Sequence, residues 1–476
     1  MTEQEYDLIV LGAGAVGENV ADYATRGGMR TVVVESALVG GECSYWACMP
    51  SKALLRPAAV LRAARAVDGA RRAVTGGVDA VGAFARRDAI VHHHDDASQT
   101  RWLASAGIDL VRGHGVLVGE RRVRVEVSDG DPVDLVARHA VAVCTGSEPR
   151  IPDTPGLAEA GPWTSRDATS ATEVPASLAV IGGGVVACEL ALAYAGLGAR
   201  VTMLVRGDSV LGGMEPFAAE AVRAGLEEAG VELRTRVEVE EASAESGSTA
   251  LRFTGGDLLS VERVLVATGR APRTRDLGLE TVGLEPGDWI EVDDTLRVPG
   301  SEWLYAVGDV TRRALFTHQG KYQARAAGDV MAARAAGRPV EDGPWGRHVA
   351  TADHTAVPQV VFTDPEVAAV GLTAEAARAA GRRIRTVDYD LSWLAGATTH
   401  ADDYRGHARA VIDEERKVLV GATFVGADVA ELVQAATIAI VGEVPLARLW
   451  HAVPAYPTLS EVWLRFLEEY GRDESA

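Results

Sequence analysis

Residues 7–17 read DLIVLGAGAVG, an apolar run of five followed by Gly12, Gly14 and Gly17 in GxGxxG spacing. The run predicts a short buried strand, and the pattern beyond it, through Asn19, Ala21 and Tyr23, predicts a helix. In that setting the three glycines serve different ends. Gly12 makes the tight turn, Gly14 lets backbone approach a pyrophosphate, and Gly17 lets helix and strand pack closely. The phosphates then lie at the helix N-terminus, where unpaired N–H groups and the helix dipole favour anions. A second apolar strand at 31–34 ends at Glu35, eighteen positions after Gly17, where a carboxylate can bind ribose hydroxyls. Strand, turn, helix, strand and acid together predict a Rossmann-type dinucleotide site, a narrower reading than the glycines alone support.

The pattern recurs. Residues 178–181 (LAVI) lead into Gly182-Gly183-Gly184-Val185-Val186-Ala187, with Ala187 at the third glycine's place, and then a helix from Cys188 through Tyr194. Two such sites imply two dinucleotides. Eighteen positions on from Ala187 stands Val205, so the ribose-binding acid has no counterpart, and Arg206 follows at once. An arginine in place of that acid favours the 2′-phosphate of NADPH over NADH, with Asp208 arguing the other way. Apolar strands at 141–147 (VAVCTGS) and 264–270 (VLVATGR) end in Thr-Gly turns, and 304–310 (LYAVGDV) carries Gly308-Asp309. An acid at a strand's C-terminal end faces the ligand crevice, so Asp309 is expected on a flavin sugar rather than as a helix cap.

Between these units, residues 40–55 read GGECSYWACMPSKALL. Five residues of ideal helix advance about 7.5 Å, beyond the roughly 7 Å Cα separation a disulfide tolerates. A bridge between Cys43 and Cys48 therefore requires a distorted helix, and such a bond is readily reduced, as an electron relay needs. The chain reads as an FAD enzyme that passes electrons through this pair. Only Cys144 and Cys188 remain, too few for a disulfide scaffold. They read as packed residues, not zinc ligands, so no metal is expected.

The chain has 476 residues, enough for several domains, and a formal charge of −20. An acidic surface argues against nucleic acid and anionic membranes as partners. The opening MTEQEYDLIVLGAG does not read as a signal peptide, and the longest apolar stretch, 176–188, falls short of a membrane span. A cytoplasmic protein is expected. Proline-rich connections at 149–155 (PRIPDTP) and 338–344 (RPVEDGP) separate units. After the second, strands at 357–362, 368–372, 408–412 and 418–425, with helices at 373–380 and 430–441, predict an α+β domain.

The chain resembles the flavoprotein disulfide reductases, whose members include dihydrolipoamide dehydrogenase and the glutathione, mycothione and mercuric reductases. The likeness spans nearly the whole length: GGxCxxxxCxPSK at 40–52, both fingerprints in order, ATGR at 267–270, YAVGD at 305–309 and FTDPEVAAVGLT at 362–373. It implies an α/β fold of two Rossmann-like domains plus a C-terminal α+β domain. These are an FAD domain at 1–150 completed at 276–345, an NAD(P)H domain at 151–275 and a dimerisation domain at 346–476. FAD would be held by Gly12, Gly14, Gly17, Glu35 and Lys52, with Gly115, Thr145, Gly146 and Asp309 nearby. The nicotinamide cofactor would meet Gly182, Gly184, Ala187, Arg206 and Gly269. The resemblance makes Cys48 the flavin-proximal thiol and Cys43 the thiol that attacks a small or protein disulfide. Lys52 and Glu189 would pair near flavin N5. A homodimer is implied, each active site completed by the partner's C-terminal segment.

The chain departs from the resemblance where most members carry His-Pro-x-x-x-Glu, for here Tyr456-Pro457 precedes Glu461. A phenol near pKa 10 donates a proton but is a poor base at neutral pH. His451 could substitute if its loop approached the site. Mercuric reductase also has tyrosine there, but it delivers metal through C-terminal cysteines, and none follows Cys188. That activity is disfavoured. Glu42 replaces a usual threonine, and Tyr45 and Trp46 between the cysteines could restrict access or stack on a flat substrate. The triplet His92-His93-His94 reads as a solvated helix face. An NAD(P)H dehydrogenase reducing quinones is the alternative, and a non-catalytic redox sensor the third reading.

Overall fold

The computed structural model describes residues 3–127 and 130–472. Two compact units emerge. One comprises Met1–Pro50, Arg87–Pro149 and Arg270–Asp353, the other Ser51–Arg86, Arg150–Gly269 and His354–Ala476.

In the first unit β1 (Gln4–Leu11) passes through the glycine turn into α1 (Ala15–Arg26) and returns as β2 (Thr31–Glu35). These strands sit mid-sheet, β1 parallel to β2 on one side and to Val133–Val143 on the other. Strand alternation divides the core. Leu8, Val10 and Val33 face α1 and the helix Thr317–Ala335, while Ile9, Leu11, Val32 and Val34 face the opposite cluster around Val123 and Leu304. α1 lies hard against the Thr317–Ala335 helix because glycines line the seam: a Cβ at Gly320 would stand 2.6 Å from Val16 Cγ2, and one at Gly328 2.6 Å from Tyr23 Cβ.

The second unit holds a parallel four-stranded sheet in the order Glu232–Thr235, Arg200–Val205, Ser177–Ile181, Arg263–Val266. A three-stranded antiparallel sheet covers 239–261. The C-terminal region forms a five-stranded antiparallel sheet with helices Ala374–Ala379 and Leu432–Val441, matching the expected α+β pattern. No helix among the described residues is long and apolar enough to cross a membrane.

The predicted helix at the histidine triplet is corrected. His92, His93 and His94 have φ of 52, 54 and 60°, a left-handed turn in which His94 stacks on Tyr45 at 6.1 Å.

Candidate functional site

The first glycine turn has the geometry of a phosphate cradle. Gly12 sits at φ +95°, and a Cβ there would lie 2.6 Å from the Cys144 carbonyl oxygen. A Cβ at Gly17 would lie 1.8 Å from the Gly12 oxygen. At Gly14, which precedes α1, the nearest atom would be Gly41 Cα at 3.9 Å, and no side chain caps the helix. The α1 amides thus remain open to an anion, which fits the pyrophosphate of a dinucleotide. Glu35, at the end of β2, accepts the Ala13 and Ala37 amides at 2.7 and 2.8 Å, tying its carboxylate to the turn. Gly17→Ala is expected to destabilise this unit by about 3 kcal/mol and to release flavin, because the new methyl has only backbone to meet. Thermal unfolding and flavin content after purification check both.

Asp309 follows Gly308, opens a short turn and accepts the Ser147 hydroxyl at 2.6 Å. Burial raises its carboxyl above the usual range, while Ser147 and Arg270 pull it down. Arg270 also donates to the Ser147 carbonyl at 2.7 Å. Thr145 donates to the Arg273 carbonyl at 2.7 Å, and Arg273 returns its amide to Gly146. Gly115 packs against Leu11 and Val34, where a Cβ would come within 2.8 and 3.0 Å.

Helix α2 (Gly41–Tyr45) stops at Trp46, and α3 (Cys48–Arg65) starts afresh two residues later. The Trp46 and Ala47 amides both donate to the Glu42 carbonyl at 2.8 Å, so the chain widens between the cysteines as their spacing requires. The side chains of Cys43 and Cys48 are hydrogen-bonded to each other. Cys48 Sγ lies 3.4 Å from Thr317 Oγ1. The bond to Cys48, then burial, then Cys48's charge push the Cys43 thiol far up, against smaller opposing effects of Thr317 and Lys321. Tyr45 is buried between Trp46 and His94, with its phenol pushed up to about 12 by burial and by Asp96, Glu18 and Asp95. It cannot stack on a substrate as its position between the cysteines suggested.

In the second unit Gly182 has φ +130°, and its Cβ would meet the Ala267 oxygen at 2.3 Å. Neither Gly184 nor Gly269 has any atom within 4 Å of a Cβ position, so this cradle is open too. Ala187 is fully buried in the helix Val185–Leu197. Arg206 is exposed just past its strand, and Asp208 is taken up by Arg236 at 2.5 Å. α3 and the Val185–Leu197 helix approach closely where Gly196 faces Ala58, a Cβ there standing 2.7 Å from Ala58 Cβ. That seam brings Lys52 Nζ to 2.6 Å from Glu189, whose side chain is 4% exposed and also accepts the Phe362 amide at 3.0 Å. Glu189 is thus buried and paired, while Lys52 keeps part of its side chain exposed.

Near the C-terminus Tyr456 is 76% exposed, and His451 is exposed as well. Glu461 is buried, with Oε2 lacking a hydrogen-bond partner among the described residues and Oε1 3.9 Å from Arg465. Ser147, Arg270, Thr317 and Lys321 were not singled out in the sequence. Ser147 directly follows the Thr145-Gly146 turn, a signal within reach; Thr317 lies 269 positions from Cys48, with no local signal.

Two glycine cradles, with a thiol pair held beside the first, define a nucleotide-dependent thiol oxidoreductase. Residues 6–337 match the model of the pyridine nucleotide-disulphide oxidoreductases, and residues 357–465 match that family's dimerisation domain. A glutathione reductase of Burkholderia cepacia is 30% identical over 97% of this chain and 98% of its own. A mercuric reductase of Shigella flexneri is 32% identical over 95% of this chain and 79% of its own. LpdA from Mycobacterium tuberculosis superposes with a TM-score of 0.84 at 25% identity, over 98% of this chain and 100% of that one. The chain belongs to the pyridine nucleotide-disulphide oxidoreductase family, as a class I flavoprotein disulfide reductase. It is an FAD-dependent, NAD(P)H-linked enzyme with the family's dimerisation domain.

Proposed function

We propose that the enzyme takes hydride from NADPH and delivers the electrons through Cys43 and Cys48 to a low-molecular-weight or protein disulfide. The observation that carries this reading is the thiol pair at the break between α2 and α3, with Cys48 Sγ 3.4 Å from the Thr317 hydroxyl beside the first glycine cradle. Bound FAD would supply the two-electron step between nicotinamide and sulfur, held by Gly12, Gly14, Gly17, Glu35 and Asp309. In the reduced pair, Cys43 gives its proton to solvent and attacks one substrate sulfur, expelling the first thiolate, which takes up a proton. Cys48 thiolate then attacks Cys43 sulfur, closing the Cys43–Cys48 bond and expelling the second. Thr317 holds Cys48 by its hydroxyl. Lys52, paired with Glu189, would supply a cation to bound flavin. The partner subunit's C-terminal segment completes the site, with Tyr456 as the proton donor to the leaving thiolate. Cytoplasmic residence suits a chain whose cysteines need no structural bridge.

Anaerobic titration of the flavin-loaded enzyme with NADPH tests the reading. Two hydride equivalents per FAD are expected before reduction is complete; consumption of one would exclude the cysteine pair as an electron store. The cofactor preference rests on Arg206, since Asp208 is engaged by Arg236. Arg206→Ala is expected to raise KM for NADPH by roughly tenfold or more, the value of a charge-assisted phosphate contact, while leaving KM for NADH unchanged. Equal effects on both would remove the preference.

A further inference from the structure

Asp353 lies in the short turn Thr351–His354, with its side chain 1% exposed. It receives two glutamines from one face of the Thr317–Ala335 helix, Gln319 Nε2 donating to Oδ1 at 2.7 Å and Gln323 Nε2 to Oδ2 at 2.9 Å. Oδ2 also stands 3.0 Å from Arg313 Nε, and that guanidinium is held in turn by Asp294 Oδ1 at 2.8 Å and the Asp293 carbonyl at 3.0 Å. The other end of the fully buried Gln323 side chain accepts the Gly308 amide at 2.8 Å. Gly308, at φ +85°, directly precedes Asp309, whose carboxylate accepts the Ser147 hydroxyl. We infer that Asp353 is a positioning residue for cofactor binding: through Gln323 it fixes the Gly308-Asp309 turn, and with it the carboxylate that meets the flavin sugar.

A glutamine amide is nearly symmetric in shape, so its neighbours decide which end presents oxygen. A carboxylate paired with a guanidinium only accepts, and Asp353 therefore takes the NH2 end of Gln323. The oxygen is left facing the buried Gly308, whose N–H it satisfies. Turned the other way, the side chain would set its own NH2 against that N–H and leave a buried donor unpaired. The turn that carries Asp353 is itself anchored. The Ala352 amide donates to the Tyr322 hydroxyl at 3.2 Å, one residue from Gln323, and the Ala350 amide to the Asp294 carbonyl at 3.0 Å, beside the Arg313 clamp. From Asp353 to Gly308 the line thus runs through buried hydrogen bonds in which each partner's orientation depends on the one before.

The proposal rests on the reading that Asp309 holds the flavin sugar, so Asp309→Ala is measured beside it. FAD dissociation from the holoenzyme is followed on dilution by the recovery of flavin fluorescence, which requires no turnover. Asp309→Ala is expected to raise Kd by about tenfold or more, the value of a hydrogen bond to a charged group; an unchanged Kd would overturn that reading and this proposal with it. Asp353→Asn and Gln323→Glu are each expected to raise Kd by about tenfold, the first by freeing the Gln323 amide to turn and the second by setting two carboxylates face to face. Combined, the two changes exchange acid and amide: the carboxylate at 323 accepts both the Gly308 amide and the new amide at 353. Kd for the double variant is therefore expected within about threefold of the parent's, a rescue that general loosening of the core would not produce. A double variant no tighter than the weaker-binding single one, with Asp309→Ala impaired, would overturn the role of Asp353 and leave the flavin contact standing. Gln323→Leu brings no charge into the core and serves where one of these variants does not fold. It leaves the Gly308 amide unpaired and is expected to raise Kd about tenfold; no rise would equally overturn the proposal. Failure of the NADPH titration with the rescue intact would count only against the electron relay.

Discussion

Replacing Cys43 by serine is expected to reduce disulfide turnover by about 10³-fold or more while NADPH still reduces the flavin. The separation follows from the geometry. Cys43 belongs to α2, on the far side of the Trp46–Ala47 break from Cys48, whose Sγ lies 3.4 Å from Thr317 Oγ1. A serine at 43 keeps the volume and the hydrogen bond toward Cys48, but it cannot form a mixed disulfide. Steady-state assays against a panel of disulfides and quinones, with wild type and Cys43→Ser side by side, measure the effect. Loss of every disulfide activity together with full quinone turnover in wild type and variant alike would move the enzyme's main chemistry to direct reduction of diffusible acceptors. Retained disulfide turnover in the variant would remove Cys43 from the mechanism altogether.

What could be read from the sequence was what depends on near neighbours. Apolar alternation at 7–11 and 31–34 divides a strand between two faces by a period of two, and Leu8 and Val10 do part from Ile9 and Leu11 on that rule. The break between the cysteines was legible for a similar reason, since helix rise alone forbids a bridge across five regular residues. The environment of the pair was not legible. Thr317 and Lys321 arrive from a helix hundreds of residues away, placed by glycines that have no meaning until Val16 and Tyr23 lie opposite them. The uncertainty over Asp208 also had a distant answer, Arg236 at the end of the neighbouring strand. His92 and His93 are exposed, as the solvated reading expected, but the left-handed turn was not legible because residue type says little about positive φ at three successive non-glycine positions. Its role is visible only in packing, where His94 closes over Tyr45 and Trp46.

The largest gain of function is expected from Tyr456→His. Disulfide turnover should rise by at least about tenfold, the lower part of what positioned acid–base catalysis supplies, and should acquire a limb near the imidazole pKa. Tyrosine at 456 can return a proton to a departing thiolate but is a poor acceptor of one from Cys43 at neutral pH. Two features of the C-terminal segment favour the exchange. The side chain is 76% exposed on its own subunit, so a smaller ring disturbs no packing there. Glu461, at the glutamate position of the usual motif, is 6% exposed and keeps one carboxylate oxygen without a partner among the described residues, an acceptor suited to an imidazole N–H. The comparison that decides is kcat/KM for the best disulfide across pH, wild type against Tyr456→His, with kcat for flavin reduction as the control. A fall in the variant would give the tyrosine a role that imidazole cannot fill, such as contact with the substrate itself, and would set aside its proton-donor role. A rise confined to Tyr456→His and absent from Tyr456→Phe would tie the gain to the ring nitrogen rather than to relief of crowding.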